Sequence, residues 1–312
     1  MSFASQLAVL TIDNRHLCLI VMPTSPRRPI IAGSPLPGIA SPHRTVQCIA
    51  IHILSSLTSQ IQLRYAAYME CMVLAHRGAS AYAPENTLAS FYKAIELGAQ
   101  GIETDLQKTK DGVIVLFHDS VLDKKSDKKG AVIDYTWAEL QEADVGSWFS
   151  PRYKGERLIT FEQFLSFFGR RDLLFDFELK SLFIESEIRE IIRLIDEYDA
   201  RQKTTITSFV FGNLKTTRDV DRNIRIGYVL ARKIDDDVIR RLESIDGRQV
   251  CAVAELITPD QVKLAHHHGL EVNAWGIQNV EVMNNMLILG VDGIIIDFPD
   301  KLIEALKMRP RI

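Results

Sequence analysis

The sequence has no long apolar run and few cysteines. No stretch approaches the roughly 20 consecutive apolar residues that a membrane helix needs, so stable insertion into a membrane is not expected. The four cysteines lack the spacing of metal ligands, which argues against a zinc site and against a disulfide framework. This usage suits a reducing compartment, and we predict a cytoplasmic protein.

An excess of positive charge is also missing. The formal net charge is −3 and the pI is near 6.3, so no basic field indicates a nucleic-acid partner. The chain has 312 residues, of which 46% are hydrophobic. It is therefore long enough to bury a large core, as one big domain or two smaller ones.

The first 71 residues differ in composition from the rest. They contain no lysine, six of the 11 prolines and two acidic residues, and their net charge is +3 against −6 for residues 72–312. Residues 22–42 are rich in Pro, Ser and Gly and are predicted to be irregular. We predict that residues 1–71 form an irregular extension outside the folded unit, residues 72–312. The alternative is a transit peptide, which would make the protein organellar.

From Met72 onward, short β-branched runs alternate with helical patterns, which predicts parallel strands in an α/β fold. The strand-like runs are residues 72–75, 101–107, 173–179, 204–209, 225–230, 250–255, 270–275 and 292–296. The helical patterns cover residues 86–98, with Asn86 as a natural N-cap, and 186–198, 235–245, 258–269 and 279–290. Eight units over 241 residues match a (β/α)8 TIM barrel, typically about 250 residues long. A doubly wound sheet would usually need fewer units.

A ninth strand-like run, residues 113–117, follows the second barrel strand too closely for a parallel crossover. Asp111-Gly112 is a strong two-residue hairpin turn. With that turn, Asp105 would lie directly opposite His118, on the same face as Glu103. The hairpin is therefore predicted to bring two carboxylates and an imidazole together.

Other polar residues stand near the carboxyl ends of predicted strands. His76 and Arg77 end the first strand, and Glu178 and Lys180 share a face near the end of the third. Because the active site of such barrels lies at the carboxyl ends of the strands, these side chains are expected to converge with those of the hairpin.

The residue types predict phosphoryl transfer. The carboxylates of Glu103, Asp105 and Glu178 are hard oxygen ligands, which suit Mg²⁺ or Ca²⁺ better than zinc. Arginine and lysine are suitable phosphate ligands. Two histidines can act as a general acid and base near neutral pH.

Long motifs then indicate a family. The stretch AHRGASAYAPENTLASFYKAIELGAQGIETDLQKTKDGVIVLFHD (75–119) resembles the signature of the glycerophosphodiester phosphodiesterase family. The resemblance continues in FELK (177–180), TSF (207–209), VNAW (272–275) and DGIIIDFP (292–299). It runs from about Val73 to the C-terminus and excludes the first 71 residues.

The resemblance implies hydrolysis of a small-molecule glycerophosphodiester to sn-glycerol 3-phosphate and an alcohol. A route through a cyclic phosphate is compatible with this reaction. It implies an acid/base pair (His76 and His118), three ligands of one divalent cation (Glu103, Asp105 and Glu178), phosphate ligands (Arg77 and Lys180), Glu85 on the glycerol side and Trp275 against the substrate. It also implies a small insertion over the active site, at about residues 120–158.

Some alternatives stay open. The family usually has an Arg-Thr-Thr-like stretch where this chain reads LDKKSDKKG (122–130), which leaves the alcohol preference undecided. The lysines of that stretch can form a solvated loop or attract anionic substrate. Lysophospholipids or phosphoinositides as substrates would call for an apolar collar near the active site, which the sequence does not clearly contain. A catalytically silent barrel that binds phosphodiesters is the other alternative.

Overall fold

The computed structural model describes residues 9–13, 16–20 and 71–308. The first two segments form an antiparallel hairpin, β1 (Val9–Asp13) and β2 (His16–Ile20), which is a sheet of its own. The predicted irregular extension thus contains one regular element, and its exclusion from the folded unit stays a prediction. The Pro-rich stretch 22–42 lies outside the described residues. None of the helices in the described part of the chain is long and apolar enough to cross a membrane.

Residues 72–296 contain nine strands, eight of which close into the predicted parallel barrel. They are β3 (Met72–His76), β4 (Gly101–Lys108), β5 (Ile114–Leu116), β6 (Leu174–Leu179), β7 (Thr204–Ser208), β8 (Arg225–Leu230), β9 (Gln249–Val253), β10 (Glu271–Trp275) and β11 (Gly293–Ile296). Pairing of β3 with both β11 and β4 closes the ring, and β5 lies outside it, antiparallel to the end of β4. The predicted (β/α)8 fold is confirmed.

The described residues contain nine α-helices, which cover the outside of the barrel except for the short second one, in the segment after the hairpin. They are α1 (Leu88–Glu96), α2 (Trp137–Leu140), α3 (Phe161–Phe168), α4 (Glu185–Glu197), α5 (Phe211–Val220), α6 (Asp236–Ser244), α7 (Pro259–His267), α8 (Val280–Leu289) and α9 (Pro299–Lys307). The five predicted helices are all present. Their apolar faces pack against the outer face of the sheet in one large core.

The start of α1 differs from the prediction. Its N-cap is Thr87, whose hydroxyl accepts a hydrogen bond from the Ser90 backbone in a capping box. Asn86 instead has a positive φ of 55° and a buried side chain. Asparagine tolerates this left-handed conformation better than most residues, so the amide is free for another role.

The hairpin between β4 and β5 forms with a different register. Lys108 pairs with Ile114, and the Thr109 amide donates to the Val113 carbonyl at 2.9 Å. This leaves a three-residue loop with Gly112 at a positive φ of 82°. Asp105 therefore lies opposite Phe117, and the predicted pairing of Asp105 with His118 is wrong by one residue. His118 lies beyond the end of β5.

The segment after the hairpin has its own small apolar cluster. It contains two short 3₁₀ helices (Val132–Asp134 and Pro151–Tyr153) and α2. Trp137 packs against a cluster formed by Val115, Phe117, Leu122, Val132, Leu140, Val145 and Leu158. Trp148 is instead exposed, with the Lys125 ammonium 5.7 Å from its ring centroid.

The inside of the barrel is unusually polar on the β4–β6 side. Barrel interiors are mostly filled by bulky apolar residues, but here the buried pairs across these strands include Glu103 with Asp176 and Asp105 with Glu178. Asp176 accepts a hydrogen bond from Gln249, and burial raises the pKa of Asp176 to about 6. Burying four carboxyl groups side by side is costly, which indicates a functional reason for this acidic wall.

Candidate active site

The three predicted metal ligands come together. One carboxylate oxygen from each of Glu103, Asp105 and Glu178 lies within 4.8 Å of the others, and all three residues are buried. Two come from one face of β4, because side chains alternate along a strand. The third comes from β6, where Glu178 pairs directly with Asp105.

Burial and mutual repulsion perturb these carboxyl groups. Burial and the neighbouring Asp105 raise the pKa of Glu103 well above its usual range and the pKa of Glu178 to about 7. Burial acts in the same direction on Asp105, but Arg77 and Lys180 outweigh it and lower the pKa of Asp105. The cluster therefore holds more negative charge than its side-chain cations neutralise well.

The donor set fits a hard divalent cation. Asp105 Oδ1 is buried and has no hydrogen-bond partner among the described residues, although its distance to the Lys180 ammonium is 3.7 Å. Three converging carboxylate oxygens and a buried oxygen without a hydrogen bond suit an oxygen-liganded ion such as Mg²⁺ or Ca²⁺. These residues could therefore hold one metal ion.

Arg77 and Lys180 place two cations beside the carboxylates. Arg77 has a positive φ of 56°, and its backbone amide donates to the Glu103 carboxylate at 3.1 Å. Its guanidinium contacts Glu85 at 3.0 Å and Asp105 at 3.2 Å. The Lys180 ammonium lies 2.8 Å from Glu178. The left-handed backbone of Arg77 is strained, which is typical of a functional position.

Each predicted acid/base histidine is held by an aspartate. His76 Nδ1 is 2.6 Å from Asp297 Oδ1, and His118 Nδ1 is 2.7 Å from Asp119 Oδ1. Because a carboxylate accepts hydrogen bonds, Nδ1 of each ring carries the proton and Nε2 is left for chemistry. Burial lowers the pKa of His118, which favours its neutral form near pH 7.

These groups surround one cavity of about 120 Å³, here called the central cavity. Its walls include both histidines and both cations, and Trp275 and Phe209 form an aromatic side. The Trp275 and Phe209 rings meet edge to face at 5.6 Å, and the Trp275 indole N–H donates to the Leu230 carbonyl. The full lining is His76, Arg77, Glu103, His118, Asp176, Glu178, Lys180, Thr207, Phe209, Val229, Cys251, Trp275 and Ile295.

Comparison with known proteins identifies the family. A family model described as the glycerophosphoryl diester phosphodiesterase family matches residues 76–301. A glycerophosphodiester phosphodiesterase of Caldanaerobacter subterraneus is 33% identical over 241 residues, covering 77% of this chain and 99% of that protein. The chain belongs to the glycerophosphoryl diester phosphodiesterase family.

Solved structures of the family have the same fold. A phosphodiesterase from Oleispira antarctica, in complex with the product sn-glycerol-3-phosphate, is 28% identical with a TM-score of 0.70. It covers 78% of this chain and 99% of its own. A structure from Galdieria sulphuraria is 25% identical with a TM-score of 0.69, covering 76% of this chain and 98% of its own.

Of the residues that the family resemblance assigned, Glu85 lies outside the central cavity. Its carboxylate is held by Arg77 and, at 2.9 Å, by the Lys125 ammonium. It therefore makes specific ion pairs across the site. Asp105 also lies behind the cavity wall, where it contacts Arg77 and Lys180.

Four residues that support the site were not predicted from the sequence. Asn86 donates to Asp105 Oδ2 at 2.9 Å and accepts from the Thr104 hydroxyl, so it orients a predicted metal ligand. Asp119 and Asp297 hold the histidines, and both lie within the quoted family motifs, which is a signal that could have found them. Lys125 had no such signal, since it stands in a run of lysines.

Proposed function

We propose that this chain hydrolyses glycerophosphodiesters to sn-glycerol 3-phosphate and an alcohol, with one divalent cation. The observation that carries the proposal is the meeting of a buried three-carboxylate cluster with two aspartate-backed histidines around one cavity. Family membership supports the reaction class, and the product named for the Oleispira antarctica phosphodiesterase supports the phosphate product.

In this proposal, Arg77 and Lys180 bind the phosphodiester. Both line the central cavity beside the carboxylates, and arginine and lysine donate charge-assisted hydrogen bonds to phosphate oxygens. Glu103, Asp105 and Glu178 would hold Mg²⁺ or Ca²⁺, which as a Lewis acid would stabilise charge on a phosphoryl oxygen. Asn86 keeps Asp105 in position for this role.

The histidines move the protons. One Nε2, without a proton, accepts a proton from the attacking hydroxyl, of water or of the glycerol itself. The other histidine, protonated on both ring nitrogens, donates its Nε2 proton to the departing alcohol oxygen. If the glycerol hydroxyl attacks first, a cyclic phosphate forms and water opens it with the two histidine roles reversed. Asp119 and Asp297 keep each Nε2 directed for this exchange.

A product assay tests the proposal. The full chain is incubated with glycerophosphocholine, glycerophosphoethanolamine and glycerophosphoglycerol, with Mg²⁺, with Ca²⁺ or with a chelator, and glycerol 3-phosphate is measured. We expect product with at least one metal and a loss of product with chelator. No product from any substrate with either metal would refute the activity, and full activity in chelator would refute metal dependence.

The metal ligands have a sharper test. Glu103→Gln keeps the size of the side chain but removes its charge, so the metal concentration for half-maximal activity should rise. The matched control is Glu162→Gln, on the exposed side of α3. An unchanged metal requirement in Glu103→Gln would remove Glu103 from the ligand set.

A cytoplasmic location is also proposed, since the two cysteines in the described residues, Cys71 and Cys251, are buried and free. Burial raises the pKa of Cys71 to about 12, so this thiol is unreactive. Cell fractionation of the tagged full chain tests this. Recovery with an organelle would favour the transit-peptide alternative for residues 1–71.

A further inference from the structure

A second cavity opens at the opposite end of the barrel from the central cavity. It has a volume of about 420 Å³, and its lining includes the first residues of β3, β6, β8, β9 and β10. It is therefore called the amino-end cavity here. Among the described residues, Asp176 is the one that lines both cavities.

Polar side chains line the amino-end cavity where barrels of this kind are normally filled by bulky apolar ones. Thr205, Gln249 and Asn273 are 8%, 3% and 5% exposed, and they come from three different strands, β7, β9 and β10. Because side chains alternate along a strand, each points into the barrel, like the central-cavity residue two positions further along its strand. Such buried polar groups are costly unless they are hydrogen-bonded.

A hydrogen bond spans the barrel at the inner end of the amino-end cavity. Gln249 Nε2 on β9 donates to Asp176 Oδ2 on β6 at 2.7 Å, and two strands of the sheet, β7 and β8, lie between β9 and β6. Asp176 Oδ1 is buried, without a hydrogen bond among the described residues. A ligand in this cavity therefore finds Oδ2 engaged and Oδ1 shielded from solvent.

The charged side chains of the lining also have partners within the chain. Arg225 Nη2 lies 2.6 Å from a Glu271 carboxylate oxygen. The Lys203 ammonium donates to two backbone carbonyls, at 2.7 Å each. Asp292 accepts from a backbone amide at 2.7 Å and lies 2.8 Å from His266 Nε2. A charged ligand would have to replace one of these contacts to offset its own desolvation, whereas a neutral ligand would not.

The Asn273 amide is the group that these contacts leave over. Its side chain lines the cavity and makes no hydrogen bond to the described residues, although an amide can donate two hydrogen bonds and accept others. Gly293 on the neighbouring strand β11 makes room for it, since an added Cβ at Gly293 would lie 2.5 Å from Asn273 Oδ1. Because buried polar groups are nearly always hydrogen-bonded, this amide needs a polar molecule from solution as its partner.

We infer that the amino-end cavity binds a small neutral polyol, of the size of a monosaccharide or a cyclitol. The cavity volume is within the roughly 300–1,000 Å³ of small-molecule sites. Hydroxyl groups can both donate to and accept from the Asn273 amide, and they can donate to Gln249 Oε1. The C–H groups of the polyol would contact Leu74 and Leu174. This site is separate from that of the proposed hydrolysis.

The test is an NMR titration of the full chain with two neutral probes, D-glucose and myo-inositol, and two charged ones, D-glucosamine and D-glucuronate. We expect saturable binding of at least one neutral probe and weaker binding of both charged probes. Absence of saturable binding for both neutral probes would overturn the inference. Tighter binding of either charged probe than of D-glucose would overturn the neutral ligand class.

Variants locate the site. Asn273→Leu keeps the size of the side chain but removes the amide, so the dissociation constant of the neutral probe should rise about 5-fold or more, through the loss of hydrogen bonds to a buried group. Thr205→Val changes the shape even less and should also weaken binding. The matched control is Asn285→Leu, on the exposed side of α8, which should bind as the parent does.

Circular dichroism shows whether each variant folds. Binding as in the parent by folded Asn273→Leu would overturn the site. If Asn273→Leu does not fold, Thr205→Val takes its place, and unchanged binding by that variant would overturn the site in the same way.

His118→Ala separates the two cavities. His118 lines the central cavity and is not part of the amino-end lining, so the neutral probe should bind this variant as it binds the parent. A larger loss of binding in His118→Ala than in Asn273→Leu would place the probe in the central cavity and overturn the inference. Because the titration measures binding without turnover, failure of the product assay would refute the proposed function alone.

Discussion

At the scale of single residues, an aspartate determines how each predicted catalytic histidine is presented. Asp119 is the sequence neighbour of His118, whereas Asp297 is distant in sequence from His76. Each aspartate accepts a hydrogen bond from Nδ1 of its histidine. The remaining nitrogen of each ring is then available, and His118 is on the wall of the central cavity. Either histidine can therefore serve as acid or base.

We predict that His118→Ala lowers kcat by about 10² or more, because general acid/base catalysis typically contributes that factor. The measurement is the steady-state rate on glycerophosphoglycerol with saturating metal. His267→Ala, on the exposed end of α7, is the control and should retain the parent rate. A nearly normal rate for His118→Ala would exclude this residue from the mechanism.

Lys125 connects two parts of the site. Its ammonium is 2.9 Å from Glu85 and 3.4 Å from Asp119. Burial raises the pKa of Asp119, but the hydrogen bond from His118 and the charge of Lys125 outweigh burial, so the pKa of Asp119 is lowered. We predict that Lys125→Met lowers kcat roughly 5-fold, the equivalent of about 1 kcal/mol for a partly buried ion pair, through a less firmly held His118. The rate and its pH profile are measured.

Two further variants separate positioning from folding. Lys125→Arg keeps the charge and should restore most of the rate, whereas Lys129→Met, in the same insertion but exposed, should have no effect. If Lys125→Arg is as slow as Lys125→Met and both are as stable as the parent, the charge is not what matters.

At the scale of elements, the turn after β3 depends on one glycine. Gly78 has a φ of 83°, and an added Cβ would lie 2.5 Å from Ser90 Oγ and 2.6 Å from the Ser90 carbonyl carbon. It directly follows Arg77, which is itself at a positive φ. This turn therefore fixes both the guanidinium and the start of α1.

We predict that Gly78→Ala lowers the free energy of unfolding by about 3 kcal/mol or more, because overpacking adds to the cost of a left-handed residue. Gly112→Ala is the matched control. Gly112 has nearly the same φ, 82°, but an added Cβ would have no atom within 4 Å, so its cost should be about 1 kcal/mol. Urea denaturation measures both, and equal losses would show that the contact with Ser90 is unimportant.

Element prediction from sequence succeeded where periodicity was strong and failed where a side chain had two possible roles. The eight barrel strands and five helices follow from alternation. Four helices were not predicted: Trp137–Leu140, Phe161–Phe168, Phe211–Val220 and Pro299–Lys307. Asn86 was assigned as a cap because asparagine favours caps, but its amide is used by Asp105. The hairpin register depended on loop length, which Asp111-Gly112 alone does not determine.

At the scale of the whole molecule, a bound metal ion should stabilise the folded barrel. Without it, the folded-state pKa of Glu103 is raised and that of Glu178 rises from 4.5 to about 7. The folded chain then binds more protons than the unfolded chain between about pH 4.5 and 7, so these groups stabilise it at low pH and lose that effect as the pH rises. A bound cation would replace those protons.

We therefore predict that the gain in Tm on adding Mg²⁺ or Ca²⁺ increases from pH 5 to pH 8. Thermal unfolding of the full chain, with metal and with chelator at each pH, measures it. The gain should shrink in Glu178→Gln, whereas Glu139→Gln, on the exposed insertion, should leave it as in the parent. A gain that does not change with pH would contradict a site at these carboxylates.

We also predict that a truncated chain beginning at Met72 folds and retains the parent kcat and KM. The physical reason is that β3 begins at Met72 and the barrel closes from β3 to β11 without any earlier strand. Circular dichroism and the product assay measure folding and activity. Loss of either would mean that residues 1–71 contribute to the working protein.

The sequence by itself determined the fold class, the family and the candidate residues of the site. Strand and helix periodicities are local properties, and carboxylates among buried strand residues need a partner wherever they lie. The barrel could therefore be stated from periodicity and the family from the motif resemblance, whereas the roles of Glu103, Asp105, Glu178, His76 and His118 stay predictions.

Only the tertiary structure decided which groups hold these residues in place and what surrounds them. The contacts of Asp297 with His76, of Lys125 with Glu85 and of Asn86 with Asp105 join residues 221, 40 and 19 positions apart. The central cavity likewise takes its walls from strands and loops that are separate in the chain. Such contacts depend on how the barrel closes and how the insertion packs over it, which no local pattern of residues encodes.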